Sequence, residues 1–159
     1  MTPRDVLANP HAPPSAVWAA LGSLLGPGIG VWEAETLQTE VERLGRIVFG
    51  DSFAVEVDSD LRICSRTVAG TTVPYESLSG GAKEQLGIVA RLAGAALVAK
   101  EDSVPVIIDD ALGFTDAGRL ARMGEVFDAV GGDGQVIVLT CSPERYAGVG
   151  DATRIELTA

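Results

Sequence analysis

The chain has 159 residues, a formal net charge of −10 and 47% apolar residues, enough for one domain, or part of a larger one, with a sizeable core. Charged residues make up 21% and mean hydropathy is +0.25, which excludes a disordered acidic tail. Twelve Lys and Arg against 22 Asp and Glu repel phosphate overall, so a free-standing nucleic-acid binder is disfavoured.

Met1 to Pro14 holds four prolines and reads as an irregular arm. Ser15 is placed to cap a short helix through Leu25, which Gly26-Pro27-Gly28-Ile29-Gly30 breaks. Leu37, Val41, Leu44 and Val48 fall at helical spacing and predict a second helix over Val31 to Val48, ended by Gly50 and Asp51. From Phe53 the period becomes two. Phe53, Val55 and Val57, the turn Asp58-Ser59-Asp60, then Leu61, Ile63 and Ser65 predict a hairpin. Val73 to Leu78 leads into the loop Ser79-Gly80-Gly81, and a helix follows from Ala82 to about Lys100 with Leu86, Val89, Ala93 and Ala96 on one face.

Val104 to Ile108 is a continuous apolar run, as expected of a strand buried on both faces of a parallel sheet, and it ends in Asp109-Asp110. A helix from Ala117 to Val130 is closed by Gly131-Gly132-Asp133-Gly134. A second buried strand, Gln135 to Thr140, runs into Cys141-Ser142-Pro143, and Thr153 to Leu157 reads as a last edge strand. Strand, helix, strand with short loops implies a right-handed parallel crossover. Cys64 and Cys141 are too few for a disulfide scaffold and lack metal-ligand spacing, so they read as idle thiols of a reducing cytosol. The apolar stretch Ala16 to Leu25 is about half of a membrane span. It follows a Pro-rich leader whose one basic residue is Arg4, a poor signal peptide. The chain reads as soluble and cytoplasmic, with no membrane partner.

Three features in fixed order carry chemistry. A Ser79-Gly80-Gly81 turn at a helix start offers a hydroxyl, free backbone N–H groups and the positive end of a helix dipole, and lets a phosphate approach closely. The plainer alternative is that Ser79 merely caps its helix. Asp109 and Asp110 lie at the carboxyl end of a buried strand, where ligands of open α/β sheets bind. An apolar run feeding an acid is the Walker B arrangement: the first Asp holds Mg²⁺ and the second orients or deprotonates the attacking water. The plainer alternative is a capped loop. Thr140-Cys141-Ser142-Pro143 gains meaning only from its position after the other two.

The order and spacing of these features resemble the carboxyl-terminal lobe of ABC-type ATPase heads, closest to the chromosome-segregation and DNA-repair branch of SMC, RecN and SbcC-like ATPases. Leu78-Ser79-Gly80-Gly81 is similar to the ABC signature, with the continuation Ala82-Lys83-Glu84-Gln85 typical of that branch. Val106 to Asp110 resembles Walker B, Ala111 to Asp116 the D-loop, and Val136 to Pro143 the last strand and switch loop. The resemblance implies an α/β, P-loop NTPase-like carboxyl-terminal half: a mainly parallel sheet with flanking helices plus an antiparallel hairpin. Residues 1–30 are then a Pro/Gly-rich arm with a short helix, and 31–159 the lobe itself.

Carried over residue by residue, the resemblance implies that Ser79, Gly80 and Gly81 contact the γ-phosphate of ATP held by a second head. It puts Gln85 and Asp116 on the same nucleotide-facing side, Asp109 on Mg²⁺, and Asp110 and Ser142 in catalysis. Two departures matter. Asp110 stands where the family has a Glu, one methylene longer. Ser142 stands where a switch His is expected, and it can carry no imidazolium charge. Both argue for slow hydrolysis or none.

The Gly-Lys-Ser/Thr of a Walker A loop is missing, because Ala82 precedes Lys83 and Ala99 precedes Lys100. ATP and Mg²⁺ are therefore expected only in an assembled head, completed by a Walker A-bearing lobe or a second head in a homo- or heterodimer, with DNA contacted only indirectly. The chain reads as a carboxyl-terminal fragment or a short protein carrying half a site. Two other functions compete: an ABC-like module that has lost catalysis and serves assembly, and a self-contained Mg²⁺-dependent phosphohydrolase on Asp109, Asp110 and Asp116.

Overall fold

A computed structural model describes residues 2–9, 12, 16, 20, 31–99, 105–132 and 134–157. The leading arm is not irregular throughout. Pro3–Leu7 forms a helical turn, α1. The Thr2 hydroxyl accepts from the Asp5 N–H at 3.2 Å, and the Asp5 carboxylate accepts from the Thr2 N–H at 2.6 Å. With Pro3 at the first helical position, this is a reciprocal capping box, strong enough to order five residues in a Pro-rich stretch. The helix expected from Ser15 to Leu25 and its glycine break fall almost wholly outside the described residues.

Helix α2 (Val31–Phe49) buries Leu37, Val41, Leu44 and Val48, the stripe read from the sequence. Its Gly45 is required by packing, since a Cβ there would stand 2.1 Å from the Phe53 ring. Strands β1 (Ala54–Val57), β2 (Ile63–Val68) and β3 (Thr71–Pro74) form an antiparallel sheet in that order. The β1–β2 turn is tied by Asp58, whose Oδ1 accepts from the backbone of Asp60 and Arg62 at 2.9 Å each. The outer edge of β1 is covered by α2: Gln38 and Glu42 accept from the N–H groups of Val57 and Val55 at 3.2 Å each. Strand β3 went unseen in the sequence. Thr71-Thr72-Val73-Pro74 has little alternation, and its pairing rests on the tight Ala69-Gly70 turn, both residues at positive φ.

Helix α3 (Gly80–Ala99) buries Leu86, Val89, Leu92 and Ala93. Strand β4 (Val106–Asp109), helix α4 (Ala117–Gly131) and strand β5 (Val136–Leu139) then form the expected crossover, with β4 and β5 parallel and Val106 opposite Val136 through Asp109 opposite Leu139. The expectation of a mainly parallel sheet is not met among the described residues, which hold three antiparallel strands and one parallel pair. Nor are β4 and β5 buried on both faces. Ile107 and residues 136–138 are half-buried, and Leu139 is 43% exposed. Two strands leave edges and faces that two helices cannot cover. Residues 153–157 carry a strand-like alternation but pair with nothing assigned as sheet, and Ile155 and Leu157 stay exposed. Alternation supplies a β-compatible side-chain pattern; a strand also needs a neighbouring backbone.

Candidate functional site

Parallel register determines which motif residues meet. Because Asp109 lies opposite Leu139, both strands end at one level, and the Asp110 N–H donates to Leu139 O at 2.8 Å. The segments 109–116 and 140–146 therefore leave from the same carboxyl edge, where ligands of α/β sheets bind. Cys141 bridges them. Its thiol lies 3.7 Å from Asp110 Oδ1, as a weak donor, and 3.9 Å from Ser142 Oγ. Asp109 and Asp110 are exposed, and Ser142 is half-buried.

The loop between β4 and α4 holds strain. Asp110 (φ 44°) and Leu112 (φ 65°) occupy the left-handed region. For non-glycine residues this costs about 1–3 kcal/mol each and persists only where the surroundings over-determine the backbone. The surroundings do so here. Leu112 is fully buried, the Tyr146 hydroxyl donates to Ala111 O at 2.7 Å, and Arg145 Nη2 donates to Leu112 O at 2.6 Å and Thr115 O at 3.3 Å. Burial raises the Tyr146 phenol, with Asp110 and Glu84 adding to the shift against Arg145, so the group keeps its donating proton. Phe114, at the loop tip, is 94% exposed.

Asp116 caps α4, its Oδ1 accepting from the Arg119 N–H at 2.9 Å. That backbone hydrogen bond holds its carboxyl below the usual range, with Arg119 adding to the effect. Ser79 is exposed and caps α3, its hydroxyl accepting from the Ala82 N–H at 3.3 Å. The plainer capping role is thus present, yet it leaves the Ser79 O–H proton to donate elsewhere. A Cβ at Gly80 or Gly81 would meet nothing within 4 Å. Neither position has the positive φ that favours glycine, so no feature of the described fold calls for these glycines, and each is a poor helix former. Lys83 folds back instead of facing outward, with Nζ 2.9 Å from Glu76 O and over the Tyr75 ring.

Gln85 needs correction as a nucleotide-facing residue. It is 3% exposed and its Nε2 donates to the Thr115 hydroxyl at 3.0 Å, so it ties α3 to the loop from inside. Sequence reasoning placed Cys141 and Thr115 inside motif segments without giving either a role, and it missed Arg145 and Tyr146, whose sequence signal is closeness to Ser142.

Among the described residues no group of three or more His, Cys, Asp or Glu could hold a metal. Asp109, Asp110 and Asp116 therefore do not make up such a group. One exposed strand-end carboxylate does fit a Mg²⁺ that takes its other ligands from water and phosphate. No helix among the described residues is long and apolar enough to cross a membrane.

The fold defined by these elements is a mixed α/β one similar to that of an SMC ATPase. A solved chain from work on ATP-driven dimerization and DNA-stimulated activation of SMC ATPases superposes with a TM-score of 0.60 at 15% identity, over 76% of this chain and 75% of that one. No protein-family model matches. In sequence, the chain is similar to uncharacterized proteins of Mycobacterium bovis and of two Mycobacterium tuberculosis strains, each 74% identical over 125 residues. The match covers 79% of this chain but spans only 14% of each relative's length.

Proposed function

We propose that this chain is the signature and Walker B half of an SMC-like ABC ATPase head, acting in ATP-driven association of heads in DNA repair or chromosome maintenance. The observation that carries the reading is the open space before Gly80 and Gly81 at a capped, exposed helix tip. Glycines that the fold does not need are what close approach by another subunit's triphosphate requires. The exposed acids at the β4–β5 edge support the same reading.

In this reading Asp109 would hold Mg²⁺, which supplies charge neutralisation of the phosphates when bound. Asp110 would orient the attacking water, with its carboxylate kept in place by the strained backbone and the Cys141 thiol. Ser79, Gly80 and Gly81 would serve a nucleotide seated on a Walker A-bearing partner lobe or second head. DNA contact would come from the assembled protein, because this lobe is strongly acidic.

The test is ATP binding by the chain mixed with a Walker A-bearing partner lobe. Binding that Ser79→Arg abolishes is the expected result; indifference to that change would refute the reading. A second reading, an assembly module without hydrolysis, is favoured by Ser142, a half-buried side chain too short to replace a histidine. Turnover by the assembled head at about 1 s⁻¹ or faster would eliminate it.

A further inference from the structure

The loop that follows the Walker B-like strand is held by side chains from two other elements. Tyr146 and Arg145, on the 3₁₀ turn Pro143–Tyr146 that begins one residue after Ser142, take the carbonyls of Ala111, Leu112 and Thr115. Gln85, on the helix opened by Ser79, takes the hydroxyl of Thr115 at 3.0 Å. Three of the motif segments read from the sequence are thereby mechanically tied, in part through Arg145 and Tyr146, which no motif includes.

Resting on the reading above, we propose that Arg145 and Tyr146 are positioning residues that set the path of the Ala111–Asp116 loop from the Ser142 side of the site, with Gln85 passing that path on to α3. Two observations separate this role from ordinary packing. First, the backbone held is strained at Asp110 and Leu112, so releasing the clamp lets it relax to another path. Second, Gln85 Oε1 and Arg145 Nε are buried without a partner among the described residues. They are an acceptor and a donor on the two side chains that meet at Thr115, each with a polar atom to spare for a further partner.

The test has two arms. In this chain, Tyr146→Phe removes one hydroxyl while keeping the ring near Phe127 (6.5 Å between centroids). It should speed amide exchange of residues 111–116 by about tenfold without changing exchange in the middle of α3. Arg145→Met should do the same and Arg145→Lys restore part of the protection. Unchanged exchange in Tyr146→Phe would overturn the clamp even if the Arg145 variants fail to fold.

In the chain assembled with a Walker A-bearing lobe, with Mg-ATP as the probe, Tyr146→Phe should lower kcat by about tenfold and leave KM within about twofold. Faster exchange with unaltered kcat would overturn the positioning role. Absence of ATP binding by the unsubstituted assembly would instead overturn the functional reading and the catalytic consequence together, while faster exchange would still uphold the clamp.

Discussion

The helix tip at Ser79 and the acidic edge at Asp109–Asp116 are built in opposite ways. The tip is local: a serine caps its own helix, and two glycines follow with empty space before them. The edge is a tertiary product, in which parallel register, a buried Leu112 and hydrogen bonds from Arg145, Tyr146 and Gln85 hold a strained loop. In the proposed reading, a half-site that meets another subunit can leave one surface open, but it must hold the other in a single geometry beforehand.

The strongest way to break this comparison is Ser79→Arg. The side chain is exposed, so the chain should remain folded, losing about 1 kcal/mol with the cap. ATP-dependent association with a Walker A-bearing partner should disappear, as read by sedimentation. Leu112→Ala strikes the other region. It should lower stability by about 2–5 kcal/mol in urea unfolding, because it empties a fully buried site beneath a loop that cannot easily collapse. A loss below about 1 kcal/mol would mean that the edge is not held as described.

Gly81→Ala sharpens the contrast. With nothing near the new methyl group, the helix should gain up to about 1 kcal/mol, while ATP-dependent association weakens. A stability loss would show that the glycine serves the fold after all. The smallest effect concerns Asp116. Its carboxyl is held below the ordinary value of 3.8, so its contribution is present above that pH and fades as pH falls through the lowered value. Asn caps a helix without titrating, so the stability difference between the native chain and Asp116→Asn should change on acidification from neutral pH to below the carboxylate range, and stay flat at all higher pH. A constant difference across the whole range would remove the cap's electrostatic part.

Helices α2, α3 and α4 and the hairpin were legible because each announces itself within a few residues, whereas α1 lay in a stretch read as an irregular arm. Leu37, Val41, Leu44 and Val48 mark one face of α2, and Asp58-Ser59-Asp60 turns β1 into β2. Strand β3 was hidden because its evidence is a partner, not a pattern. The alternation at residues 153–157 misled for the same reason, a pattern without a partner. At the site, Ser79, Gly80, Gly81, Asp109, Asp110 and Ser142 could be singled out as residue types in order. Gln85 was taken as a nucleotide-binding residue from its motif position, which does not tell which side of a helix is covered.

The sequence by itself determined the local chemistry: where helices begin, which faces are apolar, and where a hydroxyl, two glycines and two carboxylates stand along the chain. These depend on interactions over a few residues, which spacing encodes directly. Only the tertiary structure decided that Cys141 would sit against Asp110, that Gln85 would turn inward to Thr115, and that Arg145 and Tyr146 would hold a strained loop. Those contacts join residues about 30 or more positions apart. They arise from strand register and from which surfaces are left to bury polar groups, and both exist only once the elements have packed.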